Sequence, residues 1–169
     1  KDNELRATAD KGRNDVSLKI RDMEYKLKLH EGDLVRKRNE ISSYEAQIQR
    51  MNTELDTFRG QYRQISQEQL TYPEGAFVCP TCHRQLEADD IAAKQHEMEA
   101  NFNQSKSARL QANSTKGKGI KSSLEETKKK REDALAKVAE LEAMIEQIKA
   151  DIEAQKASMP ESVDVRQLI

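Results

Sequence analysis

Apolar residues recur along the first third of the chain at intervals that can be counted. Ile20, Leu27, Leu34, Ile41, Ile48, Leu55 and Tyr62 follow one another every seven positions. Three residues after each come Met23, His30, Lys37, Tyr44, Met51, Phe58 and Ile65, so that only His30 and Lys37 break the apolar seam. An average spacing of 3.5 keeps one stripe of a helix facing a partner and implies a left-handed supercoil. Lys, Arg, Glu, Asp and Gln fill the positions between and make the solvated face. This segment is predicted to be a long coiled-coil helix.

A second seam lies in the last third. Leu124, Val138, Ile145 and Ile152 hold one position, with Arg131 as its weak point, and Ala134, Leu141 and Ile148 hold the other, weakened at Thr127. Ile91, Gln95, Met98 and Phe102 form an earlier stripe. Between the two stripes lies Asn113-Ser114-Thr115-Lys116-Gly117-Lys118-Gly119, poor helix material that predicts a break near 113–121. The helix is then expected to restart at Ser122 or Ser123, each followed three residues later by a glutamate as in a capping box.

The expected architecture is all-α: an antiparallel two-helix coiled-coil hairpin folded at the segment between the arms. Residues 1–71 form the ascending arm, 72–88 the loop, 89–159 the descending arm, and 160–169 lead onward. Pro73 and Gly75 end the first helix, and Asp89 or Asp90 caps the second. Folding about the midpoint of Cys79 and Cys82 would bring Lys1 beside Pro160 and Phe58 opposite the Phe102 region. It would also set 113–119 against the stretch around Tyr44.

Composition agrees with extended helix. Charged residues make up 35% of the 169 residues and aromatics 4%, too little bulk for a globular core of this length. The 29 basic and 30 acidic residues leave a net charge of -1, which argues against a dominant nucleic-acid grip. Nine basic residues nevertheless fall within 106–131 against Glu125 and Glu126. A solvated helix face is the plain reading of that stretch, and contact with DNA phosphates is the sharper one. No apolar run reaches the roughly 18 residues of a membrane span and no signal peptide opens the chain, so an intracellular protein without membrane contact is expected. The start at Lys1 leads us to expect a piece of a longer protein.

The chemistry sits in the loop. Cys79 and Cys82 are the only cysteines, and a lone C-x-x-C in an intracellular chain is a metal or redox site before it is a structural disulfide. Two thiolates two residues apart can chelate one ion from a tight turn, and Pro80 presets that turn. A closed zinc site needs four ligands. His83 adjoins Cys82, His96 points elsewhere from the second helix, and His30 lies far down the stalk. A second copy of the loop is the simplest completion, which predicts an intermolecular clamp of four thiolates across a two-fold axis. A thioredoxin-like pair lacks its βαβ framework, and a c-type haem site (Cys79-x-x-Cys82-His83) lacks its apolar shell. A single-chain zinc knuckle with outside ligands and an idle cysteine pair are further readings.

Cys79-Pro80-Thr81-Cys82-His83-Arg84-Gln85-Leu86, set between coiled-coil arms, resembles the zinc hook of the Rad-fifty/SbcC family of SMC-like ATPases, whose hooks follow C-P-x-C-x-R-x-L. His83 stands where prokaryotic members often carry glycine. The resemblance implies one zinc shared between the Cys79 and Cys82 pairs of two chains. The homodimer would join two ATPase molecules tip to tip during double-strand-break repair and recombination, with an SbcD/Mre-eleven-type nuclease and DNA as partners. The site would lie in the cytoplasm of a prokaryote or phage, or in a eukaryotic nucleus. No phosphate-binding G-x-x-x-x-G-K-[ST] occurs here, so the residues predict no enzyme, and ATP and Mg belong to a domain outside them. A scaffold unrelated to that family with a zinc clasp, and a coiled coil switched by a Cys79–Cys82 disulfide, are the competing functions.

Overall fold

The computed structural model describes residues 2–159. Two long helices, α1 (Asp2–Gln67) and α2 (Ala88–Ala157), pack against one another in antiparallel order. Residues 68–87 connect them with turns and one isolated antiparallel bridge. The chain divides into two compact units. Among the described residues the first comprises 2–45 with 129–159, and the second 46–128.

The seam of α1 is where the heptads place it: of its fourteen positions between Ile20 and Ile65, only Tyr62 is exposed. In the first unit, Ile20 and Ile41 are buried from α1, as are Ala134, Leu141, Ile145 and Ile152 from α2. Arg38 reaches Glu142 at 2.7 Å and Arg131 reaches Glu45 at 3.1 Å, clasps that bridge the two helices on the rim of the seam. His30 occupies its seam position with a buried Nδ1 that has no hydrogen-bond partner.

In the second unit the expected interruption of α2 is absent, and helix runs unbroken through 113–121. Glycines at 117 and 119 each cost about 1 kcal/mol against alanine. That cost is offset because the seam itself continues there. Counting back by sevens from Leu124 and Thr127 gives Gly117, Leu110, Ile120 and Asn113, and all four are buried or half-buried. Asn113 carries its polar seam position by donating from Nδ2 to Gln61 Oε1 at 3.2 Å on α1.

The pairing register also differs from the expected one. Lys106 Nζ donates to the carbonyls of Ser66 and Glu68, both at 2.8 Å, and Arg109 forks onto the Glu68 carboxylate. The end of α1 thus meets α2 at Lys106 and Arg109. Phe58 stands beside Gly117 and Gly119 rather than opposite Phe102, and Glu45, next to Tyr44, meets Arg131. The expected meeting of Lys1 with Pro160, and the 160–169 segment, lie outside the described residues. The physical reason for the offset is the asymmetry of the loop. α1 stops at Gln67, short of residue 71, whereas α2 starts at Ala88, so about five turns of α2, from Ala88 to Ser105, extend past the end of α1. Residues 68–87 therefore do not form a tip centred between the arms.

No basic residue lies in the last turn of α1, whose unpaired carbonyls carry the negative end of the helix dipole. Lys106 supplies the missing cation from the other helix. Asp89 and Asp90 do the converse for α2, lying within its first turn rather than capping it, after a first helical bond from Ile91 N–H to Glu87 C=O of 2.9 Å.

Candidate metal centre

The loop builds a small β-turn structure around the cysteines. Val78 and Gln85 face each other in the antiparallel bridge. Cys79 N–H donates to Arg84 C=O at 2.8 Å, and Leu86 N–H donates to Phe77 C=O at 2.9 Å. Inside this two-rung ladder the chain must reverse over Pro80, Thr81 and Cys82. It does so with His83 N–H returning to Cys79 C=O at 2.9 Å. A second turn precedes it: Ala76 N–H bonds Pro73 C=O at 3.0 Å, Val78 N–H bonds Gly75 C=O at 3.1 Å, and Gly75 takes a φ of 76°. Tyr72 and Phe77 close this part of the loop, their ring centroids 5.2 Å apart and tilted.

His83 has a φ of 56°, the one non-glycine residue in the left-handed region among the described residues. Such backbone costs an L-residue about 1–2 kcal/mol and costs glycine almost nothing. The reversal demands it, because only a left-handed residue after Cys82 lets the chain rejoin the ladder at Arg84.

Both thiols are free, Cys79 half-buried and Cys82 exposed. The turn aims the backbone N–H groups of Cys82, then of Thr81, at the Cys79 sulfur. Helped by the Cys82 and Thr81 side chains, they hold the Cys79 thiol below its ordinary range despite partial burial. N–H donors favour the thiolate over the thiol, and the thiolate is the form that binds metal. The sequence pattern points to a tight turn at Pro80 but not to the ladder or the strained His83. The signal for the latter was present, since a C-x-x-C turn that closes on itself needs a residue with positive φ after its second cysteine.

His83 and His96 are exposed, and no group of three or more His, Cys, Asp or Glu side chains that could hold a metal gathers among the described residues. The donor set of one chain at the turn is thus two thiols, which fits half of a tetrahedral thiolate site. Phe77, Val78 and Leu86 are half-buried around the turn. Comparisons with models of known protein families, with curated proteins and with solved structures return no match. Among the described residues no helix is long and apolar enough to cross a membrane.

Proposed function

We propose that this chain is a metal-dependent dimerisation module in which Cys79 and Cys82 of two copies share one zinc ion. The observation that carries the reading is the cysteine turn, where two thiols leave one tight reversal and backbone N–H groups favour the Cys79 thiolate. Zinc, when bound, supplies a closed tetrahedral link that four thiolates satisfy and two leave open. The left-handed residue after Cys82 adds support, because it explains in backbone terms the motif position at which the resembling hooks often carry glycine. In that reading the two helices are the stalk that sets the hook apart from an ATPase. The module tethers two such molecules in double-strand-break repair with a nuclease partner.

Zinc content measured together with mass tests the proposal. One zinc per two chains, with dimer converting to monomer in excess chelator, is the expected result. One zinc per chain in a monomer would point to a self-contained knuckle and overturn it. A metal-free chain with a Cys79–Cys82 disulfide would point to a redox switch, a reading that the free and partly accessible thiols also support. Replacing both cysteines by serine should abolish metal binding and leave helicity almost unchanged, since the seam holds the helices without the loop.

A further inference from the structure

Charge is unevenly spread over the second unit. Between Glu99 and Glu125, α2 carries Lys106, Arg109, Lys116, Lys118 and Lys121 and no acidic residue. Between Asp56 and Glu68, α1 likewise carries Arg59 and Arg63 and no acid. The Lys106 and Asn113 hydrogen bonds bring these two acid-free stretches side by side. A chain of net charge -1 thus gathers seven cations in one band of the hairpin.

Three of the seven are engaged within the molecule. Lys106 holds the end of α1, Arg109 pairs with Glu68, and Arg59 meets Asp56 at 2.8 Å in an exposed pair of little worth. Arg63, Lys118 and Lys121 form no ion pair among the described residues. All three lie around Tyr62, which is 44% exposed although it belongs to the apolar seam. Tyr62 and Gly117 line the same groove of about 240 Å³, and a Cβ at Gly117 would touch nothing within 4 Å. Phe58 and Tyr62 form its aromatic wall, and Lys118 and Lys121 stand at its edge. Lys116 lines a separate hollow that Phe58 and Glu54 also border.

We propose that this groove binds single-stranded nucleic acid, with a base against Tyr62 and the backbone phosphates on Arg63, Lys118 and Lys121. Accessible aromatic faces set among unpaired cations suit a strand with unstacked bases, whereas a duplex keeps its base faces stacked away from such contact. The groove is built by the helices and needs neither the cysteine turn nor zinc, so it stands or falls separately from the dimerisation reading.

The test is fluorescence anisotropy of a labelled fifteen-residue oligothymidine, using the whole chain with Cys79 and Cys82 both changed to serine. Micromolar binding at about 50 mM salt is expected, weakening steeply as salt rises. The triple variant Arg63→Gln, Lys118→Gln, Lys121→Gln should bind at least tenfold more weakly. Its log–log salt slope should be shallower by about 2, from about 0.7 per lost phosphate contact. Tyr62→Leu, which keeps apolar bulk in the seam, should lose roughly five- to hundredfold, while Tyr62→Phe and Lys116→Gln should stay within about twofold. Absence of binding, a triple variant equal to the parent, or a duplex held as tightly as the single strand would each overturn the proposal. An oligouridine arm shows whether the sugar matters; equal affinity supports recognition of base and phosphate alone.

Discussion

The α2 helix carries the same heptad frame through both units of this hairpin but fills it differently. In the first, the α2 seam is aliphatic from Ala134 to Ile152, with Leu141, Ile145 and Ile152 at 4–5% exposure, and only Arg131 at its start is charged. In the second, the same frame holds Asn113, Gly117 and Thr127, and the aromatic Tyr62 remains 44% exposed. Both stretches are continuous helix. Helix formation here therefore follows from the frame and from pairing of two long helices, while tightness of packing follows from what occupies the frame. The aliphatic stretch packs tightly, and the polar one trades packing for surface.

The largest effect should come from weakening the aliphatic unit. Leu141→Ala removes a buried side chain and is expected to cost about 2–5 kcal/mol. Helicity followed through urea unfolding measures it. A loss under 1 kcal/mol would mean that the first unit is no better packed than the second, and the comparison would fail.

Next comes repair of the polar unit. Gly117 and Gly119 face open space, so alanine at either should fit without displacing a neighbour. Each change should stabilise the helix by about 1 kcal/mol through propensity alone. In the parent chain, amide exchange across 113–119 should outpace that across 135–152, and the double alanine variant should narrow the gap. Equal protection in the parent would show that the glycines do not weaken this unbroken helix locally.

These residues also mark what could be read in the sequence. The α1 seam was legible almost residue by residue, because heptads of Ile and Leu leave one solution. The α2 half of the second unit is harder to read because Asn113 and Gly117 look like loop residues, although a phase carried back from Leu124 runs straight through them. The cysteine pair stands out in the sequence as a candidate site because few folds need two thiols at that spacing, but the ladder that carries the turn has no such signal. The end of α1 was not. Nothing in Glu68-Gln69-Leu70-Thr71 breaks a helix. It stops there because Lys106 and Arg109, some forty residues away, hold its last carbonyls and Glu68, a tertiary contact that no local signal announces.

A third, smaller effect concerns His83. Glycine at this position removes the left-handed strain but adds freedom to the unfolded loop, so the gain should be below about 1 kcal/mol. It should appear as slower amide exchange at Cys79 and His83, whose N–H groups close the turn. Faster exchange in His83→Gly would show that the imidazole, and not the backbone, stabilises the reversal.

The smallest effect is electrostatic and lies where α1 ends. The Arg109 guanidinium hydrogen-bonded to Glu68 holds its carboxyl below the usual range, against the opposing pull of desolvation, and the charges of Arg109 and Lys106 act the same way. A carboxyl whose folded value is depressed contributes stability that is present above its unfolded pKa of about 4.3 and disappears as pH falls through the folded value. Arg109 stays protonated throughout that window, so the change belongs to Glu68. The pair is exposed, and its loss should loosen the last turn of α1 without unfolding the hairpin. The measurement is amide exchange from Ile65 to Glu68 between neutral pH and about pH 3, corrected for the intrinsic rate. Because acid also returns protons to thiolates, the serine variant at both cysteines is the proper host. Fraying should set in below about pH 4 in that host, and Glu68→Gln should show the same fraying at neutral pH with no further change in acid. A Glu68→Gln chain that still frays on acidification would assign the effect to another carboxyl, and would leave Lys106 alone as the clamp that stops α1 where it does.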